Sequence, residues 1–274
     1  MKQLLMIAAL TTSAFAHAAS PAMKEAVYTK GVSGDLVASI YTPSDIAGES
    51  SARGKKLSAV IYFHGGGWSH GTRAQGLAKS IAAMGYVSMS PEYDLVPNAH
   101  YPTQLDQAWA AVKYLQEHAA EYNVDASRIA VGGGSAGGEL AALIGLRVRM
   151  PTGVKPVKAV VLASAVLDLT EAQNLNKTIN NYMGGGCLDL IAACKEASPA
   201  LASLKDAPPF FIGYGTKDQL VPPHQQTDFI AKLKAAHVPV EVYAGEGGPH
   251  NYASMPEWKE ANAEAVRVFL NKYL

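Results

Sequence analysis

The chain has 274 residues, which is enough for one large α/β domain with a substantial core. Lysine and arginine together number 23, as do aspartate and glutamate, so the formal net charge is zero. The sequence has no basic stripe, which argues against nucleic acid and anionic lipid as partners.

The first 19 residues have the three parts of an export signal. Lys2 supplies a positive start, residues 4–10 an apolar stretch, and residues 14–16 or 16–18 a small-residue cleavage site. The alternative is a disordered or membrane-anchoring N-terminus, but the apolar stretch is shorter than the roughly 20 residues that span a bilayer. We therefore predict a signal peptide over residues 1–19, a periplasmic or secreted mature chain, and no stable membrane insertion.

Residues 20–274 are predicted to form a single α/β domain, because strand-like and helix-like runs alternate after about residue 57. The predicted strands are residues 25–29, 35–41, 57–63, 86–89, 128–131, 159–163, 210–214 and 240–243. The predicted helices are residues 75–84, 105–115, 136–144, 224–236 and 256–274. This pattern predicts a mostly parallel sheet, opened by an antiparallel pair and covered by helices on both faces. Ligands of such sheets bind beyond the carboxyl ends of the strands.

Residues 169–209 are a long insertion in this alternation, and we expect them to form a partial lid or wall over the cleft. The insertion contains both cysteines, Cys187 and Cys194. In an exported protein they are free to oxidise, and a disulfide closing this short loop stabilises a fold by about 2–3 kcal/mol. Two unpaired thiols packed in the core are the alternative. Neither cysteine has a partner at zinc-site spacing, and we predict no metal and no organic cofactor.

Residues 133–137 read Gly-Gly-Ser-Ala-Gly, a G-x-S-x-G motif between a predicted strand and a predicted helix. A serine in such a turn is strained, with its hydroxyl exposed, and the following helix directs free amides and its positive dipole end to the same point. The motif therefore predicts Ser135 as the nucleophile of an acyl transfer. A small residue at a helix N-cap is the alternative, and the surrounding strand, helix and upstream glycine turn favour the nucleophile.

A serine nucleophile needs a base and an orienting acid, and candidates for both follow predicted strands. Asp218 follows the seventh predicted strand, and His250 lies between the last strand and the last helix. Asp168 is a rival acid, but Asp218 fits the order Ser, Asp, His that this motif expects. His224 and His237 are rival bases, and we interpret His237 as a capping or surface residue at a helix end.

The segment His-Gly-Gly-Gly-Trp, residues 64–68, directly follows the apolar strand 57–63. Glycines let backbone amides face a reacting carbonyl without interference from a Cβ. Gly65 or Gly66, together with Ala136, are therefore the predicted donors of an oxyanion hole. We interpret His64 as a structural imidazole that holds this turn together, rather than as a proton carrier.

Several other side chains have two interpretations each. Trp68 and Tyr93 are candidate substrate-binding residues, and with Tyr182 and Tyr252 they form an aromatic set that fits a sugar or phenolic ring, or else packs in the core. Glu139, one turn into the helix after the serine, either tunes the field of the nucleophile or is a solvated or locally bonded carboxylate, which is the more common case.

Together these residues resemble the α/β-hydrolase superfamily, and within it the H-G-G-G-carrying esterases: the hormone-sensitive-lipase-like group and the bacterial feruloyl and acetyl esterase-like group. The resemblance covers about residues 55–274. The matching segments are residues 64–68, 93–102, 128–133, 135–138, 217–222 and 248–250. The resemblance implies the roles of nucleophile, acid and base for Ser135, Asp218 and His250, in a carboxylic ester hydrolase.

The chain departs from that pattern in three ways. Gly134 precedes the serine where the lipase-like group commonly has Asp, which points to the feruloyl and acetyl esterase-like side. Pro249 stands before His250, where a second small residue is usual, so its rigid ring is expected to affect the fine geometry of the histidine loop. The mature chain also begins almost at once on strand-like sequence, which leaves little room for an N-terminal helical cap.

The expected substrate is a small-molecule or polymer-linked ester, such as a short acyl ester, an acetylated or feruloylated plant polysaccharide, or a polyester fragment. Two other functions remain open. One is a serine peptidase of the prolyl-oligopeptidase type, although those enzymes usually take an oxyanion donor from a tyrosine hydroxyl. The other is a non-catalytic ligand-binding module on the same fold, although such modules usually lack a member of the triad.

Overall fold

The computed structural model describes residues 20–43, 56–171 and 175–274, so the predicted signal peptide lies outside the described residues. The strands are β1 Ala22–Lys30, β2 Asp35–Thr42, β3 Leu57–Phe63, β4 Val87–Pro91, β5 Val124–Gly134, β6 Val160–Ala163, β7 Phe210–Gly215 and β8 Val240–Gly245. The helices are α1 Ala78–Ala83, α2 Thr103–Glu117, α3 Ala136–Gly145, α4 Asn176–Met183, α5 Ile191–Glu196, α6 Pro223–Ala235 and α7 Pro256–Tyr273.

The strands form one sheet in the order β1-β2-β4-β3-β5-β6-β7-β8. Strand β2 pairs antiparallel with β1 and β4, and all pairs from β4 to β8 are parallel. The predicted fold class is therefore confirmed: a mostly parallel sheet opened by an antiparallel pair. Among the described residues, no helix is long and apolar enough to cross a bilayer.

Strand β3 is apolar on both faces because both faces are covered. Its residues Ile61 and Phe63 belong to the core formed with α2, α3 and α6, whereas Val60 and Tyr62 pack with α1 and α7 on the opposite face. Helix α1 is shorter than predicted, and the positive φ of Gly76 (89°) lies just ahead of it. Strand β5 begins four residues before the predicted start at Arg128, and its last residue is Gly134.

Residues 169–209 contribute α4, α5 and a 3₁₀ turn at Pro199–Leu201 to the carboxyl end of the sheet. The buried side chains of this insertion, including Ile179 and Tyr182, pack against Trp68 and Val166. A disulfide bond joins Cys187 to Cys194, as predicted, and connects the segment after α4 to α5. The insertion thus packs on the domain through a small core that it shares with Trp68, Ala136, Val166 and Val221.

Replacing Cys187 and Cys194 together by alanine is expected to lower the free energy of unfolding by about 2–3 kcal/mol, because the crosslink removes loop-closure entropy from the unfolded chain. Urea unfolding of the oxidised protein and of the double variant measures this difference. The oxidised protein treated with a reductant should match the variant. Equal unfolding midpoints for all three samples would show that the bond adds no stability.

Candidate active site

Ser135 occupies the sharp turn between β5 and α3. Its φ of 53° and ψ of −121° fall in a region that residues other than glycine rarely adopt, so the backbone is strained at this point. The flanking glycines of the motif make the turn sterically feasible. A Cβ on Gly133 would lie 2.1 Å from the Gly137 carbonyl oxygen, and one on Gly137 would lie 2.3 Å from the Phe63 carbonyl oxygen. The turn at Ser135 therefore packs directly against the end of β3.

Asp218 and His250 meet beyond the ends of β7 and β8. His250 Nδ1 lies 2.7 Å from Asp218 Oδ2, and the Asp218 side chain is only 1% exposed. The other oxygen, Oδ1, accepts the backbone N–H groups of Leu220 and Val221 at 2.9 and 3.0 Å. Since a carboxylate oxygen accepts, Nδ1 donates, which leaves Nε2 as the nitrogen that can receive a proton. The ring of Pro249 does not prevent this contact.

A cavity of about 500 Å³ brings the candidate residues together. Ser135 and His250 both line it, as do Gly65 and Gly66 of the oxyanion turn, here defined as residues 64–68. The hydrogen bonds of the described residues do not include one from Ser135 Oγ to the His250 ring. Such bonds are often long in active sites without substrate and shorten when substrate binds.

The oxyanion turn approaches the serine closely. A Cβ on Gly65 would lie 2.9 Å from the Gly134 carbonyl oxygen and 3.3 Å from Ser135 Cβ, so this position has little room for a side chain. The φ of Gly66 is 118°, and a Cβ there would lie 2.0 Å from the His70 carbonyl oxygen. Ala136 is the first residue of α3, where backbone N–H groups lack intrahelical partners.

His64 holds the Gly65–Gly66 peptide in place. Its Nδ1 lies 2.8 Å from the Gly65 carbonyl oxygen and must donate, because that oxygen can only accept. The N–H of Gly66 points away from that oxygen, since the peptide is planar and trans. Burial lowers the pKa of the His64 imidazole, which favours the neutral ring with its hydrogen on Nδ1. The prediction of a structural imidazole agrees with this geometry.

Trp68 is both fully buried and part of the cavity wall, so its two interpretations are not exclusive. Tyr93 does not line the cavity. It lies beneath the oxyanion turn, where its hydroxyl donates to the His64 carbonyl oxygen at 2.8 Å and its ring stacks on the His64 imidazole. Tyr182 and Tyr252 are also buried outside the cavity lining. A substrate-binding role for Tyr93 therefore does not fit its place in the structure.

The expectation that Glu139 is solvated or locally bonded is wrong. The side chain is fully buried, and its partners come from distant segments: the Trp68 indole N–H donates to Oε2 at 3.2 Å, and the Tyr182 hydroxyl lies 3.4 Å from Oε1. Burial raises the pKa of the Glu139 carboxyl well above its ordinary value, although both hydrogen bonds act in the opposite direction.

The rival residues lie elsewhere. The Asp168 carboxylate accepts the N–H and hydroxyl of Thr170 at 2.8 and 2.6 Å, in a local turn. His224 and His237 are exposed, and His237 has a φ of 55° just after α6, which fits a residue at a helix end. Tyr62, whose ring lines the cavity next to Gly76, was not among the predicted site residues. The alternation of side chains along β3 was the one indication that Tyr62 lies on the opposite face from Ile61 and Phe63.

The cavity wall is mostly apolar, and its titratable side chains are Tyr62, His70 and His250. Among the described residues that line it, none is Asp, Glu, Lys or Arg, and its apolar members include Leu77, Val166, Leu175 and Leu220. Leu175 and Thr178 come from the insertion, which therefore supplies one wall. Within the described ranges, no group of three or more His, Cys, Asp or Glu side chains is arranged to hold a metal ion.

The Glu139→Gln variant is expected to be more stable to heat than the wild-type protein, by a margin that grows as the pH rises above about 4.3, the ordinary Glu pKa. Because the folded-state pKa is raised, the unfolded chain releases a proton that the folded chain keeps, and stability falls as pH rises between the two values. The nearby phenols of Tyr93, Tyr101 and Tyr182 have raised pKa values and stay neutral. Thermal unfolding from pH 4 to 8 measures the difference, and a constant difference would contradict the expectation.

The sheet order, the strained serine after β5 and the paired Asp218 and His250 at later strand ends define an α/β hydrolase with the arrangement of a serine esterase. Comparison with known protein families identifies the family of α/β hydrolases to which the chain belongs. The BD-FAE family model matches residues 40–233, more than half of the chain, and the chain therefore belongs to the BD-FAE family.

The similar proteins include several esterases. Esterase LipQ of Mycobacterium tuberculosis is 30% identical over 236 residues, which cover 80% of this chain and 56% of LipQ. Carboxylesterase NlhH of the same species is 32% identical over 232 residues, covering 77% of this chain and 71% of NlhH. This chain thus spans little more than half the length of LipQ. A thermophilic esterase of Thermogutta terrifontis, Est2, superposes with a TM-score of 0.75 at 28% identity, covering 91% of this chain and 92% of Est2.

Proposed function

We propose that this protein is a carboxylic ester hydrolase that works through an acyl-enzyme on Ser135. The observation that carries the proposal is the hydrogen bond of 2.7 Å between His250 and the buried Asp218, at a cavity that the strained Ser135 also lines. This arrangement supplies a nucleophile, a base and a group that orients the base.

In the proposed reaction, His250 Nε2 takes the proton of Ser135 Oγ as the oxygen attacks the ester carbonyl. The N–H groups of Gly66 and Ala136, with Gly65 as the alternative donor, stabilise the negative charge on the tetrahedral intermediate. The protonated His250 then gives its proton to the departing alcohol. Water, activated by the same imidazole, hydrolyses the acyl-enzyme and restores Ser135. Asp218 keeps the imidazole in the required tautomer and stabilises its charged form.

The composition of the cavity wall supports a proposal for the substrate class. Because the wall contains no Asp, Glu, Lys or Arg, a charged acyl group would find few partners there, so we propose neutral esters with short apolar acyl chains as substrates. Solved forms of Est2 carry butyrate or propionate, which supports this range. Feruloyl and polysaccharide esters remain candidates, since Ser69, Thr178 and Asn251 add polar groups to the lining.

Export of the mature domain is part of the proposal. It is supported by the composition of residues 1–19 and by the Cys187–Cys194 disulfide, a bond that persists in oxidising compartments. Expression of the full chain in a bacterium, followed by mass spectrometry of the N-terminus, tests this part. A mature protein that begins within residues 17–20 in the periplasm or medium is expected, whereas an intact N-terminus in the cytoplasm contradicts it.

The proposed chemistry is tested with a fluorophosphonate probe and a panel of nitrophenyl esters. We expect one equivalent of probe on Ser135, located by peptide mapping, and hydrolysis that is faster for butyrate than for a long-chain acyl ester. An anionic hemisuccinate ester should be a poor substrate. A dipeptide amide, assayed in parallel, should not be cleaved; preferential cleavage of the amide would favour a peptidase. Failure of the folded protein to react with the probe would favour a non-catalytic module.

A further inference from the structure

Glu139 is a buried carboxyl that the proposed reaction does not use. It lies in the first turn of α3, the helix that begins directly after Ser135, and it is 0% exposed. The ion pairs of the described residues include none to Glu139. A carboxyl in such a place costs free energy unless its hydrogen-bonding capacity is used. The hydrogen-bond partners of the Glu139 carboxyl therefore indicate its role.

The hydrogen bonds of Glu139 lead to two segments that border the cavity. Oε2 accepts the indole N–H of Trp68, the last residue of the oxyanion turn, and the carboxyl also contacts the hydroxyl of Tyr182 on α4. The two aromatic rings stack on each other, with centroids 4.1 Å apart and planes 2° apart. One side chain of α3 thus connects the nucleophile helix, the oxyanion turn and the insertion.

Trp68 is constrained on its backbone as well as its side chain. Its φ is 55°, and its carbonyl oxygen accepts the N–H of Val96 at 2.9 Å. The preceding Gly67 has no room for a side chain on the insertion side, since a Cβ there would lie 2.8 Å from Thr178 Cγ2. The indole and the glycine amides just before it therefore belong to one constrained turn, and we expect a shift of the indole to displace those amides.

We propose that Glu139 is a positioning residue for the oxyanion hole, acting through the Trp68 indole, in the ester hydrolysis proposed above on which this inference rests. Because Glu139 and Ser135 belong to the same helix end, the hydrogen bond to Trp68 sets the distance between the nucleophile and the Gly65 and Gly66 amides. A misplacement of about 1 Å in a catalytic constellation can cost about 100-fold in rate.

A competing role for Glu139 is a direct electrostatic effect of its charge on Ser135. The two roles differ in what glutamine does at this position. The carbonyl oxygen of a glutamine side chain can accept the Trp68 N–H, and its amide can donate to the Tyr182 hydroxyl, so the positioning role survives without a charge. Leucine, of similar size, leaves the buried indole N–H without a partner.

The test compares Glu139→Gln, Glu139→Leu, Trp68→Phe and the double variant Trp68→Phe/Glu139→Leu in hydrolysis of nitrophenyl butyrate. We expect E139Q to keep kcat within about 3-fold of the wild type, and E139L to lower kcat by about 10- to 100-fold with KM within about 3-fold. W68F removes the same hydrogen bond from the other side and keeps an aromatic ring to stack on Tyr182. The kcat of the double variant should lie within about 3-fold of the kcat of the slower single variant, because both changes break the same contact.

Trp109→Phe is the matched control, since Trp109 is equally buried and its indole donates to the Val148 carbonyl oxygen, outside the cavity lining. It should lower the melting temperature and leave kcat unchanged.

The positioning role would be overturned by a kcat of E139Q as low as that of E139L. It would also be overturned if the loss of kcat in the double variant equalled the product of the two single losses. If E139L does not fold, W68F carries the same test, and an unchanged kcat in W68F overturns the proposal. A wild-type protein that hydrolyses no ester would instead refute the proposed function.

Discussion

Replacing Ser135 by alanine is expected to lower kcat for nitrophenyl butyrate by about 10⁴-fold or more. In the proposed mechanism Ser135 Oγ forms the acyl-enzyme, and no other described side chain of the cavity wall offers a second nucleophile activated by the His250–Asp218 pair. The small residual rate would come from water attacking an ester bound at the oxyanion donors. Steady-state kinetics, with burst-phase measurement of nitrophenol release in the wild-type protein, gives both the loss and the active-site concentration.

The control for this variant is Ser88→Ala. Ser88 is a buried serine on β4 whose hydroxyl donates to the Ala78 carbonyl oxygen, outside the cavity lining. It should lose stability and keep its kcat. Ser135→Ala should keep or raise the melting temperature, because the strained backbone position remains the same and a functional hydroxyl is removed. A Ser135→Ala protein that hydrolyses the ester at the wild-type rate would exclude an acyl-enzyme on this residue.

Asp218→Asn is expected to lower kcat by about 10⁴-fold with little change in folding. The side-chain oxygen of the introduced asparagine can still accept the N–H groups of Leu220 and Val221, so the local turn keeps its hydrogen bonds. Its amide nitrogen, however, donates to His250 Nδ1 and so forces the proton of the ring to Nε2. That nitrogen can then no longer accept the serine proton. Kinetics at several pH values, with a melting temperature for each variant, measures the effect.

Asp168→Asn separates the two acids that the sequence offered. Asp168 accepts hydrogen bonds from Thr170, in a turn apart from the histidine pair, so its substitution should change kcat by no more than about 3-fold. If Asp168→Asn lost as much activity as Asp218→Asn, the assignment of the acid would be wrong. Probe labelling of Ser135 should slow in Asp218→Asn and remain normal in Asp168→Asn.

Much of the fold was predictable because parallel strands buried on both faces are apolar over their whole length. Residues 57–63 have this pattern, and the predicted strand has the bounds of β3. The meeting of Asp218 and His250 was also predictable, since both residues follow parallel strands and the carboxyl ends of parallel strands share one edge of a sheet. In both cases a local pattern and a general rule of sheet architecture were sufficient.

The side chains around the site were harder to place, because their environment depends on segments far apart in the chain. Glu139 reads as a solvent-exposed helix residue by its neighbours in sequence, yet its partners lie 71 and 43 positions away. Tyr93 carries no local sign that its ring stacks beneath His64 rather than in the cleft. A pattern in sequence reports the period of a helix or strand, whereas these contacts depend on how the insertion and the oxyanion turn pack on α3.

The way the insertion is attached has a consequence for protein engineering. The proposed catalytic residues lie on turns at the edge of the sheet, whereas Leu175 and Thr178 belong to a segment outside the sheet. Transplanting another wall in place of residues 169–209 would therefore be a direct route to altered acyl preference. Such a graft should retain an aromatic hydroxyl at the position of Tyr182, because the chimera would otherwise lose turnover together with the selectivity it was built to change.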